Sequence, residues 1–204
     1  MSTFPHTFDS LDQAVLNWAQ HFIGRSDGLD WLLVVVGQWL VYLVPVGLLI
    51  AWLWLRYGHR VKDWALERIS LLELTVAGLI GWQGLSRLIK LIYYRDRPLV
   101  AGSNVKELFF HRPDNSFPSD HSAFFFGLAT YAYLLGWHRT GHGMLIAAIL
   151  VSMARIATGT HWLTDIIVGA LIGVAGAYLL WWLRKPFEQW IGEPLEALIS
   201  QAGL

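Results

Sequence analysis

Seven side chains in this sequence have the types that chemistry on a phosphoryl group needs, and they fall in three clusters. One stretch ends Lys90-Leu-Ile-Tyr-Tyr-Arg-Asp-Arg97-Pro98. A second reads Phe117-Pro118-Ser119-Asp120-His121-Ser122. A third carries Arg155, His161 and Asp165. Lys90, Arg97, Arg155 and the Ser119 hydroxyl suit phosphoryl oxygens, because a guanidinium offers planar paired donors and an ammonium a point charge. A phosphoryl transition state spreads negative charge over its equatorial oxygens, so positioned cations supply most of the stabilisation. The four-residue spacing of His161 and Asp165 puts them on one face of a helix. A carboxylate against one imidazole nitrogen fixes the tautomer and makes the other nitrogen a better nucleophile. His121 is then the group left to protonate a leaving oxygen. Both histidines sit near expected helix starts, where partial positive charge favours an anion.

The elements that must position these groups are membrane spans. The 204 residues are 55% hydrophobic and 15% charged, with a formal charge of +0. Soluble domains carry roughly 25% charge, so the composition argues against a soluble or disordered chain, and no basic field points to nucleic acid. There is no cysteine, which excludes disulfides, thiolate metal sites and a cysteine nucleophile; the 12 tryptophans suit rings at a membrane–water interface. Five apolar stretches are expected to span: Trp31 to Leu55, about 69–93, about 122–137 (short, and therefore starting earlier, inside the polar loop), about 144–157 and about 163–183. The predicted class is an all-α integral membrane bundle of about five transmembrane helices. Gly169, Gly173 and Ala177 lie four apart, a face that another helix can approach closely.

Residues 1–30 do not read as a signal peptide. Leu11, Val15, Trp18 and Phe22 recur at helical spacing and predict an amphipathic interfacial helix. Phe187, Trp190, Ile191, Leu195, Leu198 and Ile199 read the same way at the other end. Without repeats or linkers, residues 1–204 form one domain. The alternating direction of the spans places the three polar clusters on one face. Arg56, Arg60, Lys62, Arg68, Arg139, Arg184 and Lys185 collect on the opposite face. Setting aside Lys90, Arg97 and Arg155 as site residues, that face outnumbers Arg25, Arg95, Lys106 and Arg112 by seven to four and is cytoplasmic by the positive-inside rule.

Each cluster has a plainer reading. A cation at a helix end commonly snorkels to the interface. Tyr93, Tyr94 and the tryptophans read as belt anchors, His138 and His142 as loop residues, and Glu73 as a paired or snorkelling group. His111, Asp114, Asp120 and His121 have the types of hard-metal ligands, but the neighbouring Lys and Arg repel a cation, so no metal is expected. Arg87, within a span, and Asp120 are outer members of the site rather than reacting groups. A transporter would carry ionisable groups at mid-span, and the first, fourth and fifth spans lack them.

Taken together, Lys90-x6-Arg97-Pro98, Pro118-Ser119-Asp120-His121 and Arg155-x5-His161-x3-Asp165 resemble the three-part signature of the type 2 phosphatidic acid phosphatase family, over about residues 70–183. That resemblance implies His161 as the nucleophile that forms a phosphohistidine, Asp165 as its orienting group and His121 as general acid. It implies that Lys90, Arg97, Ser119 and Arg155 hold the phosphate, and that no cofactor is used. Two positions depart from the family pattern: Asp120 stands where Gly is usual and Ala154 where Ser is usual. An acid beside a phosphate site weakens anion binding unless it points away or pairs with a cation. The Phe-Pro-Ser-Asp-His-Ser wording and the short chain look most like the bacterial undecaprenyl-diphosphate phosphatases of the bacitracin-resistance type. The implied function is hydrolysis of undecaprenyl diphosphate at the outer face of the bacterial inner membrane, in lipid-carrier recycling for cell-wall synthesis. Alternatives are another lipid phosphate, such as phosphatidic acid or phosphatidylglycerol phosphate, and transfer of the phosphoryl group to a second lipid.

Overall fold

Every regular element in a computed structural model of the chain is a helix among the described residues, which are 6–57, 64–101, 105–109 and 114–201. Arg60, Lys62, His111 and Arg112, used above in the charge count and the metal reading, lie outside them. The order is α1 (His6–Gln20), α2 (27–57), α3 (64–92), α4 (Asp120–Leu134), α5 (His138–Ala157), α6 (Leu163–Trp182) and a C-terminal helical segment, α7 (184–201). Four stretches are long and apolar enough to cross a bilayer: Asp27–Trp54, Ala65–Ile92, His138–Ala157 and Leu163–Trp182.

The stretch expected as the third span is α4, and it is the centre of the bundle. Its 15 residues reach about 22 Å at 1.5 Å per residue, short of the roughly 30 Å hydrocarbon layer. Ala123, Phe125, Leu128, Tyr131 and Ala132 on it are almost entirely buried, and α3, α5 and α6 pack around it. Enclosed by protein, α4 still runs from the site face to the opposite end, where Tyr131 meets Trp181 of α6. It starts at Asp120, inside the polar loop as expected, and Ser119 caps it, accepting a hydrogen bond from the Ser122 amide at 3.5 Å.

Lipid tails are as apolar as leucine, so helices associate in a bilayer through close packing rather than exclusion from water. The small residues of α6 provide that packing. A Cβ on Gly169 would lie 2.5 Å from the Ser119 carbonyl oxygen, one on Gly173 would overlap the Ala123 carbonyl, and Ala177 is fully buried. The two backbones therefore touch, and the Ser119 amide donates to the Asp165 carbonyl at 3.0 Å. This close approach sets the second and third motifs beside each other.

The N-terminal helix keeps most of its periodic stripe outward, as an interfacial helix requires, and docks by a second one, with Val15 half-buried between them. Leu11, Trp18 and Phe22 are exposed, while Asp12, Leu16, Ala19 and Ile23 are buried against α5 and α6. Both stripes are apolar, so periodicity alone does not say which one meets protein; the outward stripe keeps the interfacial character. At the far end, α7 leaves Trp190, Ile191 and Leu198 exposed and clips to α3 through the ion pair of Glu196 with Arg68 at 3.3 Å. Glu73 pairs with Arg184 at 3.1 Å, as its position near that end suggests.

Candidate active site

His161 sits in the turn between α5 and α6. Gly159 makes the turn possible with a φ of +66°, and a side chain there would overlap Val105. The Arg155 carbonyl ties the turn down, accepting from the Thr160 hydroxyl at 2.8 Å and from the Thr160 and His161 amides at 3.1 and 3.3 Å. The imidazole is 1% exposed. Its Nε2 lies 3.3 Å from Nη1 of Arg97, and its Nδ1 lies 3.6 Å from Oδ2 of Asp165. A guanidinium only donates, so Nε2 facing Arg97 is the unprotonated nitrogen and the proton resides on Nδ1, toward the carboxylate. Burial first, and then the charges of Arg97 and Arg155, hold the imidazole well below the ordinary histidine pKa, with His121 and Lys90 acting in the same sense. Groups from α3, the loop after it, α4 and α5 thus converge electrostatically on one ring. The first, second and third motifs meet here.

Arg97 is 5% exposed and donates to the Thr160 carbonyl at 2.5 Å; its other nitrogens hold the exposed Asp114 at 2.8 and 2.7 Å. Arg155, 2% exposed, donates to the Gly37 carbonyl at 3.1 Å. That carbonyl sits in a π-helical turn of α2, Val35–Trp39. Glycine admits the close approach of α5 here, since a Cβ on Gly37 would lie 3.3 Å from the Ala154 Cβ. Such turns shift the register of a helix and recur at functional sites. Ser119 is fully buried at the α4 N-terminus, with the Ser122 hydroxyl 3.3 Å from its own. His121, one residue past the start of α4, lines an apolar cavity of about 250 Å³ with Val41, Tyr42, Pro45, Trp82 and Phe124.

Asp120 pairs with a cation. Its carboxylate accepts from the Lys90 ammonium and from the Ser86 hydroxyl, both at 2.6 Å. Ser86 ends the second π-helical turn, Ile80–Ser86 in α3. The negative charge is thereby spent on Lys90, which keeps two further N–H donors. Neutralising that acid leaves the ammonium charge wholly available to an anion. Asp120→Asn is therefore expected to tighten inhibition by inorganic phosphate several-fold at low ionic strength, measured as a competitive constant. Asp114 and Asp120, two of the candidate metal ligands, are thus engaged by Arg97 and Lys90. Arg87 stays outside the centre: it is exposed, donates to Gln83 on its own helix at 3.3 Å, and lines a polar cavity of about 560 Å³ with Lys90, Asp114 and Asp120.

Sequence reasoning missed three groups beside the site. Arg95, read as a loop charge, is 5% exposed and reaches Asp165 at 2.9 Å. Asp12 and Thr164 complete its shell at 2.6 Å each. The one available signal was an acid, Asp12, interrupting an apolar stripe of α1.

Comparison with known proteins identifies the family. The PAP2 superfamily model matches residues 69–188. A bacitracin transport permease protein, BcrC of Bacillus licheniformis, is 28% identical over 154 residues, 76% of this chain and 71% of that protein. A putative undecaprenyl-diphosphatase, YbjG of Escherichia coli K12, is 29% identical over 163 residues, 76% of each chain. Two crystal structures share the fold, each with a TM-score of 0.59. Aquifex aeolicus LpxE is 22% identical, with 88% of this chain and 96% of that one covered. The PAP2-type phosphatidylglycerolphosphate phosphatase of Bacillus subtilis is 21% identical, with 92% and 89% covered. Three motifs in the family order, an all-helical bundle that brings them to one ring, and a match across most of α3 to α6 lead to one assignment: the chain belongs to the PAP2 superfamily.

Proposed function

We propose that this membrane phosphatase hydrolyses undecaprenyl diphosphate to undecaprenyl phosphate and inorganic phosphate, with the site facing outward across the bacterial inner membrane. The observation that carries the reading is the placement of His161: Nε2 lies 3.3 Å from the Arg97 guanidinium and Nδ1 3.6 Å from the Asp165 carboxylate. In the reaction, Nε2 attacks the terminal phosphorus and the bond to the bridging oxygen breaks. His121 protonates the departing lipid phosphate. Water then attacks the phosphohistidine, with His121 now taking its proton, and phosphate leaves. Lys90, Arg97, Arg155 and Ser119 hold the equatorial oxygens in both steps.

Support for a lipid substrate comes from two cavities that share Asp120. One is polar and carries Lys90; the other is apolar and carries His121 at its edge. A diphosphate head and a prenyl tail divide naturally between them. Support for the diphosphate comes from one relative's name, a putative undecaprenyl-diphosphatase; the other's name is that of a transport permease. The first, fourth and fifth apolar stretches carry no ionisable group at mid-span, which favours hydrolysis over transport.

The test is phosphate release by the purified protein in detergent with EDTA present, comparing undecaprenyl diphosphate, phosphatidic acid and phosphatidylglycerol phosphate. The expected result is kcat/KM at least tenfold higher on the diphosphate, unchanged by the chelator. A preference for either glycerolipid, or loss of release on chelation, overturns it. Phosphorylation of an added acceptor lipid in place of phosphate release identifies a phosphotransferase.

A further inference from the structure

Asp165 is a fully buried carboxylate, and its shell extends well beyond His161. Oδ2 accepts from the Trp162 amide at 2.9 Å, and Oδ1 accepts from Arg95 at 2.9 Å. The guanidinium does not belong to Asp165 alone. Its second nitrogen donates to Asp12 of α1 at 2.6 Å, and its first also donates to the Thr164 hydroxyl at 2.6 Å. Asp12 in turn accepts from the Thr164 amide at 2.9 Å and from the Thr164 hydroxyl at 2.6 Å. Asp12 is 1% exposed and Arg95 5%, and the Trp162 ring lies 5.1 Å from the guanidinium carbon. One cation is thus shared between two buried carboxylates, one on the N-terminal helix and one 3.6 Å from the imidazole. Asp9, exposed, lies farther off at 3.7 Å.

We propose that Asp12 and Arg95 are positioning residues of the reaction, acting on His161 through Asp165, so that the docked N-terminal helix is a working part of the site. The inference rests on the reading of His161 as nucleophile and Asp165 as its orienting group. Residue 12 lies far outside the segment matched by the family model, 69–188, so the family assignment does not supply this role. The physical reason is charge sharing. An Arg95 bound only to Asp165 would neutralise that carboxylate and weaken its electrostatic support of the imidazole, whose Nδ1 lies 3.6 Å away, at the moment when the ring takes on positive charge. Asp12 takes the second guanidinium nitrogen, shares the positive charge, and leaves Asp165 basic enough to serve the ring. The fork geometry matters, because an ammonium does not bridge two carboxylates in fixed planes.

The charges acting on the ring are Arg97 and Lys90 from the loop after α3 and from α3, His121 from α4, Arg155 from α5 and Asp165 from α6; Asp120 pairs with Lys90, and Arg95 and Asp12 stand behind Asp165. Removing the Asp12 charge leaves Arg95 uncompensated and disfavours the imidazolium. For the full-length protein in detergent, assayed on undecaprenyl diphosphate, Asp12→Asn is expected to lower kcat about tenfold or more and to change KM less than about threefold. The acid limb of kcat/KM should move to lower pH. Circular dichroism and a monodisperse gel-filtration profile normalise for folded protein. An acid limb unchanged in position, whatever the amplitude, overturns the proposal and leaves a purely structural clamp. Where Asp12→Asn does not fold, Arg95→Lys serves: it keeps the charge, loses the fork, and is expected to lower kcat with KM retained. Wild-type kcat in folded Arg95→Lys overturns the proposal equally. His161→Ala separates the two levels: if that variant keeps turnover, the underlying reading fails; if it loses turnover while Asp12→Asn behaves as wild type, only this inference fails.

Discussion

His161→Ala is expected to lower turnover of a lipid diphosphate by about four orders of magnitude or more, with the protein folded and still binding phosphate. Removing a nucleophile eliminates the covalent route, and losses of that size are typical when one member of a catalytic unit is deleted. The ring is buried, but its turn is held by backbone hydrogen bonds to the Arg155 carbonyl, so alanine leaves a void and intact cations. The expectation is therefore a collapse of kcat without a comparable loss of inorganic phosphate binding. Its pH behaviour carries a sign. Burial and the Arg97 and Arg155 charges push the imidazole well below 6.5, so Nε2 is unprotonated at neutral pH and stays so as pH falls through the ordinary histidine range. The acid limb of kcat/KM in the wild-type enzyme is thus expected below pH 6.5. A limb at or above that value, or substantial turnover by His161→Ala, contradicts the nucleophile assignment.

Arg155→Lys is the second large effect, expected to cost about 100-fold or more in kcat/KM. Arg155 is 2% exposed, on the last turn of α5, and already donates from one nitrogen to the Gly37 carbonyl. A guanidinium satisfies that carbonyl and directs other N–H groups at an anion in the same plane. An ammonium is a compact, strongly hydrated point charge that covers one task at the expense of the other. Donors aimed at charge developing in a transition state are worth about 2.7–4 kcal/mol each by deletion. Because charge is retained, ground-state binding of phosphate should suffer less than kcat. Steady-state kinetics on the purified variant, with phosphate inhibition alongside, checks this; near-normal kcat would place Arg155 in a structural role at the α2–α5 contact.

Much of the molecule is legible in the residues themselves. Long uncharged stretches cross a bilayer because no backbone group can go unpaired in hydrocarbon. That constraint makes the helical class readable, and α2, α3, α5 and α6 are long and apolar enough to span. Gly169, Gly173 and Ala177 mark the close face of α6 in advance, since only small residues let two backbones meet. The three motifs also announce themselves, because their residue types and spacing serve one chemistry.

Other features are decided only in three dimensions. The α4 sequence has the composition of a span, but that it is the central helix, enclosed by α3, α5 and α6, is decided by packing, because composition does not count neighbours. The α1 helix has two apolar stripes, and the fold, not the periodicity, selects Leu16, Ala19 and Ile23 for burial. Asp120 reads as a burden on anion binding, and only the docking of α3 against α4 brings Lys90 and Ser86 to its carboxylate. Arg95 and Asp12 stand 83 positions apart and give almost no local signal of each other. Sequence determines what a segment is able to do through its own periodicity and side-chain chemistry, over a few turns of helix. Which distant charges share a buried guanidinium depends on how whole helices dock, and local pattern carries no record of that.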